Sequence, residues 1–255
     1  MNNSGIAVNK EEIISKCRIL LDAYKSGKLG FTKMPEDSNP GFSEDEQELR
    51  LAYFTLPMSL NYQRDSYKLW ESVLDTFKDS ECKIVFDAKE SALMDSSKLR
   101  ILLSKYKIAL QPNKHISTWQ TIAKTVFNNW SSFQELLKHA DSDYLRLKQI
   151  IQKDYKKGFP YLSGPKIFNY WCFILKSYGN VDLKNSEYIE IAPDTHVTKC
   201  SVILGVITKA EAERFSKEQI SERWRILLKG SGINPIDMHP PLWFWSRNGF
   251  NFKME

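Results

Sequence analysis

Hydrophobic positions recur every three or four residues along much of the chain, which is the spacing of an α-helix with one buried face. The clearest such stretch begins at Thr118 and continues to Leu137. Its apolar positions are Trp119, Ile122, Ala123, Val126, Phe127, Trp130, Phe133 and Leu137. We interpret this stretch as one amphipathic helix with a broad buried stripe.

Capping patterns mark several other helix starts. Ser43–Glu46, Thr208–Glu211 and Ser216–Gln219 each place a hydroxyl residue three positions before Glu or Gln, which is a capping box. The first opens a helix that Pro57 ends. Asp65 is expected to cap the next helix, whose buried face carries Leu69, Val73 and Phe77.

Strand signals are weak, because the only candidates, 83–86 and 188–191, are short and isolated. Residues 33–43 form the clearest linker-like stretch. The sequence therefore predicts an all-α protein. Its 255 residues, 42% hydrophobic and 26% charged, have an ordinary globular composition that excludes long disorder and low-complexity arrays.

No apolar run approaches the roughly 18 residues that a membrane span needs. Met1–Gly5 has neither the basic region nor the apolar stretch of a secretory signal. We therefore expect an intracellular protein that is neither secreted nor membrane-bound. The four cysteines (Cys17, Cys82, Cys172, Cys200) are far apart and the four histidines are scattered, so we expect buried reduced thiols, no metal and no cofactor.

Charge is unevenly distributed in a chain whose net charge is only +5. Residues 144–176 contain seven basic residues and one acid, Asp154. Binding of a polyanion is one interpretation of this stretch, and a solvated helix face is the other.

Residues 142–179 have the layout of two helices joined by a short hairpin. Ser142 is expected to cap the first helix and Gly158 to end it; a tight turn over 159–164 then leads to Pro165, a residue suited to the first position of a helix. The amides at such a hairpin can point outward and bind a phosphate.

Two residues, one directly after this hairpin and one further along the chain, have side chains that can take part in catalysis. Lys166 lies in the first turn of the second helix, where the helix dipole and partial burial are expected to lower its pKa and favour the neutral, nucleophilic amine. Asp194 precedes an apolar helix. Taken alone, a surface lysine and a helix N-cap are the simpler roles for the two residues.

Together, Leu162–Lys166 and Pro193–Val197 resemble the helix-hairpin-helix DNA glycosylase superfamily, in which a hairpin ending in lysine is followed by an aspartate in a D-T-H-V-like segment. The resemblance covers 142–206. Leu162 replaces the first hairpin glycine, and 27 residues separate Lys166 from Asp194. In both features the segment resembles the archaeal-type 8-oxoguanine glycosylase/AP lyases.

The resemblance implies two helical lobes with an active-site cleft between them: 46–180, ending in the helix-hairpin-helix at 142–179, and 1–45 with 181–255. It implies a monomer that removes an oxidised purine, 8-oxoguanine above all, from damaged double-stranded DNA. Lys166 would be the nucleophile that forms a Schiff base, and Asp194 the acidic residue that assists cleavage of the sugar–base bond.

The resemblance also implies roles for residues outside the catalytic pair. The alternatives are core packing for the aromatic ones, a surface position for His239 and helix capping for Asn61. His196 is assigned to packing. The base-binding candidates are Tyr170, His239, Trp243 and Trp70, and the DNA-binding candidates are Gly164, Ser163, Gln63, Asn61, Lys156 and Lys157.

Two other functions stay open. One is a non-catalytic helix-hairpin-helix DNA-binding protein, in which Lys166 is one phosphate contact among several. The other is a monofunctional glycosylase for alkylated bases that uses Asp194 and water, although such an enzyme has no need of the Lys166 amine.

Overall fold

The computed structural model describes residues 4–254, with side chains from residue 10 onward. Residues 1–3, part of the start assessed for a secretory signal, lie outside the described residues. Within this range the regular structure is helical, with one isolated bridge between Asp143 and Lys184, which confirms the all-α prediction. Of the described helices, none combines the length and the apolar character needed to span a bilayer.

Thirteen α-helices lie within the described residues, together with short 3-10 segments and one π-helix. The α-helices are α1 (Ser4–Lys25), α2 (Gln47–Thr55), α3 (Ser66–Lys78), α4 (Ala88–Leu93), α5 (Ser96–Lys105), α6 (Pro112–Trp130), α7 (Phe133–His139), α8 (Tyr144–Gln149), α9 (Pro165–Ser177), α10 (Thr195–Ile203), α11 (Lys209–Arg214), α12 (Lys217–Leu228) and α13 (His239–Arg247). The 3-10 segments are Pro35–Asp37, Glu44–Glu46, Pro57–Leu60, Lys83–Phe86, Lys156–Gly158, Ser186–Tyr188 and Pro235–Met238, and the π-helix is Ile150–Asp154.

The chain divides into two compact units. The hairpin unit is Met34–Ser186, and the terminal unit combines Met1–Lys33 with Glu187–Glu255. These boundaries differ from the predicted ones at 45/46 and 180/181. The difference at the first boundary arises because the segment before α2 packs into the hairpin unit, where Glu36 is fully buried and the Phe42 ring contacts Tyr53.

An aromatic core holds the hairpin unit together. Tyr53 of α2 contacts the rings of Trp70, Phe77 and Phe86, and the Trp119 ring of α6 contacts Phe86. Two predicted caps are present: the Ser43 amide donates to the Glu46 carboxylate at 3.2 Å, and Asp65 accepts from the Lys68 amide at 3.1 Å. Leu69, Val73 and Phe77 are buried, as predicted.

Several predicted elements of the hairpin unit need correction. The stretch from Thr118 to Leu137 forms two helices, because Ser131 adopts a left-handed conformation (φ 69°) and the Ser132 side chain caps α7. Residues 33–43 are not a linker, since Met34, Pro35 and Glu36 are buried. The strand candidate at 83–86 is a 3-10 turn. The candidate at 188–191, which belongs to the terminal unit, has only its first residue in a 3-10 segment and forms no strand.

The terminal unit is built around α10 and α13, which pack together along with α1. The buried Cys200 thiol donates to the Leu242 carbonyl at 3.1 Å, and the Trp224 indole donates to Ser201 Oγ at 2.8 Å. The predicted capping boxes at Thr208 and Ser216 are both present. All four cysteines are buried and reduced, as expected.

Candidate active site

The predicted layout of two helical segments joined by a tight turn is present, and the first segment is irregular. After α8 the chain passes through the π-helix and the Lys156–Gly158 3-10 turn before it reaches the tight turn and α9. Asp143 caps α8 by accepting from the Arg146 amide at 2.9 Å. Ser142, the predicted cap, is instead left-handed (φ 45°), and its carbonyl accepts from the Lys184 amide at 2.8 Å.

The amides of the tight turn are used within the turn. Leu162 donates to the Pro160 carbonyl at 2.7 Å, Ser163 to Phe159 at 2.9 Å, and Gly164 to Tyr161 at 3.0 Å. The Ser163 and Gly164 amides therefore do not serve as the predicted phosphate donors.

Donors remain at the start of α9. A helix cannot satisfy its own first amides, and Gly164 provides no side-chain cap. Because Pro165 has no N–H, the amides that can face an anion here are those of Lys166 and Ile167. The backbone donors that can meet an anion therefore lie in the first turn of α9 and not in the preceding turn.

Lys166 is the second residue of α9, where the sequence placed it. Its side chain is exposed, so the expected partial burial is wrong. Among the described residues, no carboxylate lies within ion-pair distance of its amine. The amine is therefore open to a ligand.

The segment that contains Lys166 carries exposed positive charge. Of the seven basic side chains between residues 144 and 176, all but the half-buried Lys148 are exposed, including the DNA-binding candidates Lys156 and Lys157. The single acid, Asp154, accepts a hydrogen bond from Gln149 at 2.7 Å.

Tyr170, one turn after Lys166, is half-buried, and its hydroxyl donates to both oxygens of Glu36 at 3.1 Å. The Trp70 indole donates to Glu36 Oε1 at 2.9 Å. Trp70 is completely buried, with its rings against Tyr53 and Phe54. It presents no face to a base, so Trp70 belongs to the core instead of the predicted base wall.

Sequence reasoning missed Glu36, which lay in the stretch interpreted as a linker. Burial raises the pKa of its carboxyl to about 7, and the hydrogen bonds from Tyr170 and Trp70 partly oppose that rise. Glu36 is 134 positions from Tyr170 in sequence, so no local pattern could have indicated this contact. A buried carboxyl now connects a predicted base-binding residue to the core.

In the loop before α3, the Gln63 side chain faces solvent, whereas the Asn61 side chain is held within the loop. Gln63 is exposed and left-handed (φ 50°), whereas half-buried Asn61 accepts from Ser66 Oγ at 2.9 Å. Asp65 caps the start of α3, whereas Asn61 caps the end of the Pro57–Leu60 segment, where its backbone amide donates to the Met58 carbonyl at 3.1 Å. Of the two candidates, Gln63 is therefore the one presented to solvent.

Asp194 lies in the terminal unit as the N-cap of α10. Its Oδ1 atom accepts from the Val197 amide at 2.9 Å, and its side chain is half-exposed. Within the described part of the chain, no hydrogen-bond donor reaches Oδ2. The preceding segment is fixed by Ser221, whose hydroxyl donates to the Ile191 carbonyl at 2.9 Å. Capping thus occupies one oxygen of the carboxylate and leaves the other available.

The C-terminal candidates lie on α13, which begins at His239 and carries Trp243 one turn later. His239 is buried, whereas Trp243 is half-buried. The Trp243 ring lies 5.7 Å from the His196 ring, edge to face, and the Arg247 guanidinium is 4.9 Å from the Trp243 ring centre. Burial lowers the pKa of His196, whose Nδ1 lies 3.0 Å from Ser246 Oγ. His196 therefore packs between α10 and α13.

The candidate residues form two groups. Lys166 and Tyr170 share α9 of the hairpin unit, while Asp194, His196 and Trp243 belong to the terminal unit. Within the described residues, no group of three or more His, Cys, Asp or Glu side chains could hold a metal ion. A scan against known protein families finds no match, and no curated protein matches the chain in sequence.

Proposed function

We propose that this protein is a DNA glycosylase/AP lyase that removes an oxidised purine, 8-oxoguanine above all, from double-stranded DNA inside the cell. The observation that carries the proposal is the exposed, unpaired Lys166 amine in the first turn of α9, directly after a hairpin and within a segment, 144–176, that is rich in exposed basic residues. Such a surface binds phosphates while leaving an amine available for reaction.

The chemistry follows from that amine. The damaged nucleotide leaves the duplex, because C1′ cannot be reached inside the stack. The Lys166 nitrogen bonds to C1′ as the N-glycosidic bond breaks, and the base leaves with a proton. The C1′–O4′ bond then opens as water protonates O4′, which gives a protonated Schiff base. Loss of a C2′ proton to water expels the 3′ phosphate by β-elimination.

Asp194 supplies the negative charge for this reaction. A carboxylate beside the sugar stabilises the positive charge that develops as the base departs, and it can accept the proton from the lysine amine. Since Oδ1 caps α10, Oδ2 is the atom assigned to this role. The proposal requires the two units, acting as a monomer, to hold one extrahelical nucleoside in a cleft with Lys166 from one and Asp194 from the other.

Trp243 is the proposed base-stacking residue. Its ring is half-buried on α13, and an aromatic face can stack on a purine. Tyr170, which Glu36 holds one turn from Lys166, is the base-binding residue proposed on the hairpin unit. His239 is buried on the same helix as Trp243, so it is proposed to support that ring instead of contacting the base.

Borohydride trapping on a duplex containing 8-oxoguanine tests the proposal. The wild type and Lys176→Gln, which removes an exposed lysine from the same helix, should form a covalent protein–DNA adduct, and Lys166→Gln should not. Salt-sensitive duplex binding without trapping would instead indicate a non-catalytic DNA-binding protein. Base release without strand nicking would indicate a monofunctional glycosylase.

A further inference from the structure

Two tyrosines connect the Gln63 loop to the hairpin that precedes Lys166. The rings of Tyr62 and Tyr161 are stacked, with centres 4.2 Å apart and planes 8° from parallel. The Lys114 amine lies 5.4 Å from the Tyr62 ring centre and 5.2 Å from that of Tyr161. We call Tyr62, Tyr161 and Lys114 the tyrosine cluster.

The tyrosine cluster fixes one side of the Gln63 loop, and Arg64 fixes the other. Arg64 donates to the Ile108 carbonyl at 2.7 Å and to the Lys107 carbonyl at 3.3 Å. Gln63 lies between Tyr62 and Arg64 with φ 50°, and its side chain is exposed. The loop tip is therefore held in place while its side chain stays open to a ligand.

The hairpin side of the cluster is fixed in the same way. Tyr161 adopts a left-handed conformation (φ 61°), which is uncommon for a tyrosine. Its carbonyl accepts from the Gly164 amide at 3.0 Å, and its ring stacks on Tyr62. A conformation of this kind persists where the surroundings determine it, and such conformations concentrate at functional sites.

The tyrosine cluster and the residues that adjoin it carry positive charge that no carboxylate neutralises within the described residues. Lys107 and Lys114 are exposed, and within the described residues no carboxylate lies within ion-pair distance of Lys107, Lys114 or Arg64. Hydrogen bonding to the Lys114 ammonium lowers the pKa of the neighbouring Tyr161 hydroxyl. A cation between two fixed loops is suited to a phosphate of a DNA strand that passes over them.

We propose that Tyr62 and Tyr161 are positioning residues that set Gln63 at a fixed distance from Lys166, and that Lys114 binds a phosphate of the duplex. This inference rests on the proposed glycosylase function. In that function, Gln63 enters the DNA base stack to fill the gap left by the flipped base. The Lys166 amine must contact C1′ of the extruded sugar at the same time, so the distance between the two side chains matters. The tyrosine stack is a direct contact between the loop that carries Gln63 and the hairpin that precedes Lys166.

The test uses a duplex with 2-aminopurine beside 8-oxoguanine, whose fluorescence rises when the neighbouring base unstacks. At saturating protein, Tyr62→Ala should lower both this rise and single-turnover excision about tenfold, because misplacing a group by about 1 Å is costly. Tyr62→Phe, which keeps the stack, should stay near wild type. Tyr62→Ala should add little to Gln63→Ala in the double variant, because both remove the same function.

Lys114→Gln should reduce the slope of log binding constant against log salt concentration by about 1, the value expected for the loss of one phosphate contact. Lys124→Gln removes an exposed charge from the same helix and is expected to leave that dependence unchanged. Tyr161→Gly removes the ring and suits the left-handed backbone, so it replaces Tyr62→Ala if that variant does not fold.

The outcomes separate the two proposals. Normal unstacking by Tyr62→Ala and Tyr161→Gly, or equal losses in Tyr62→Phe, would overturn the positioning role. An unchanged salt dependence in Lys114→Gln would overturn the phosphate contact. A wild type that binds and unstacks the duplex but is never trapped would overturn the glycosylase alone, because fluorescence and binding need no catalysis.

Discussion

Replacing Glu36 with Gln should change how the stability of the protein depends on pH. The Glu36 carboxyl is fully buried and accepts hydrogen bonds from Trp70 and Tyr170. Glutamine has nearly the same shape, and its amide oxygen can accept the same bonds, but it carries no charge at any pH. The substitution therefore removes the titration with little change in packing.

The magnitude follows from the raised pKa of Glu36, which is about 7 in the folded protein against an ordinary 4.5. Below pH 4.5 the carboxyl is protonated in both states and does not make stability pH-dependent. Between 4.5 and 7 only the unfolded state releases the proton, so the free energy of unfolding falls as pH rises. At 1.36 kcal/mol per unit, the loss is about 3 kcal/mol and is complete above pH 7.

The assay is urea unfolding of wild type and Glu36→Gln at pH values from 4 to 8. The stability of the variant relative to wild type should increase by about 3 kcal/mol across this range. Glu71→Gln, which replaces an exposed acid on α3, is the control and should show no such increase. Parallel pH curves for wild type and Glu36→Gln would refute the assignment of a raised pKa to this carboxyl.

Three further predictions concern the proposed site and the hairpin. Asp194→Asn keeps an oxygen that can cap α10, so the free energy of unfolding should change by less than about 1 kcal/mol, while the single-turnover excision rate falls at least about a hundredfold. An unchanged excision rate would show that Asp194 only caps the helix. Trp243→Ala should keep duplex binding but lower the preference for damaged over undamaged DNA about tenfold; lost stability with an unchanged preference would assign the ring to the core. A Cβ at Gly158 would lie 2.6 Å from the Thr125 side chain, so Gly158→Ala should reduce thermal stability by about 1–3 kcal/mol and Thr125→Ala should restore it; no loss in the single variant would contradict that contact.

The predictions that succeed concern interactions between residues close in sequence. The caps at Ser43, Asp65, Thr208 and Ser216 join positions three residues apart, so the pattern contains both partners. The position of Lys166 was predictable for the same reason, since Pro165 suits the first position of a helix.

The predictions that fail depend on backbone conformation or on distant contacts. The apolar spacing from Thr118 to Leu137 continues through a break that left-handed Ser131 creates, and periodicity alone does not show it. The amides of the hairpin turn are used by carbonyls of the same turn, which depends on its dihedral angles. Glu36 becomes part of the candidate site only through its contact with Tyr170.

The central claim is that the Lys166 amine attacks the sugar, and the most direct measurement is to locate the covalent bond. Protein trapped by borohydride on an 8-oxoguanine duplex is digested with nuclease and protease, and the modified peptide is sequenced by mass spectrometry. We predict a deoxyribose remnant on Lys166. A remnant on another lysine or on the N-terminal amine, with Lys166 unmodified, would contradict the claim.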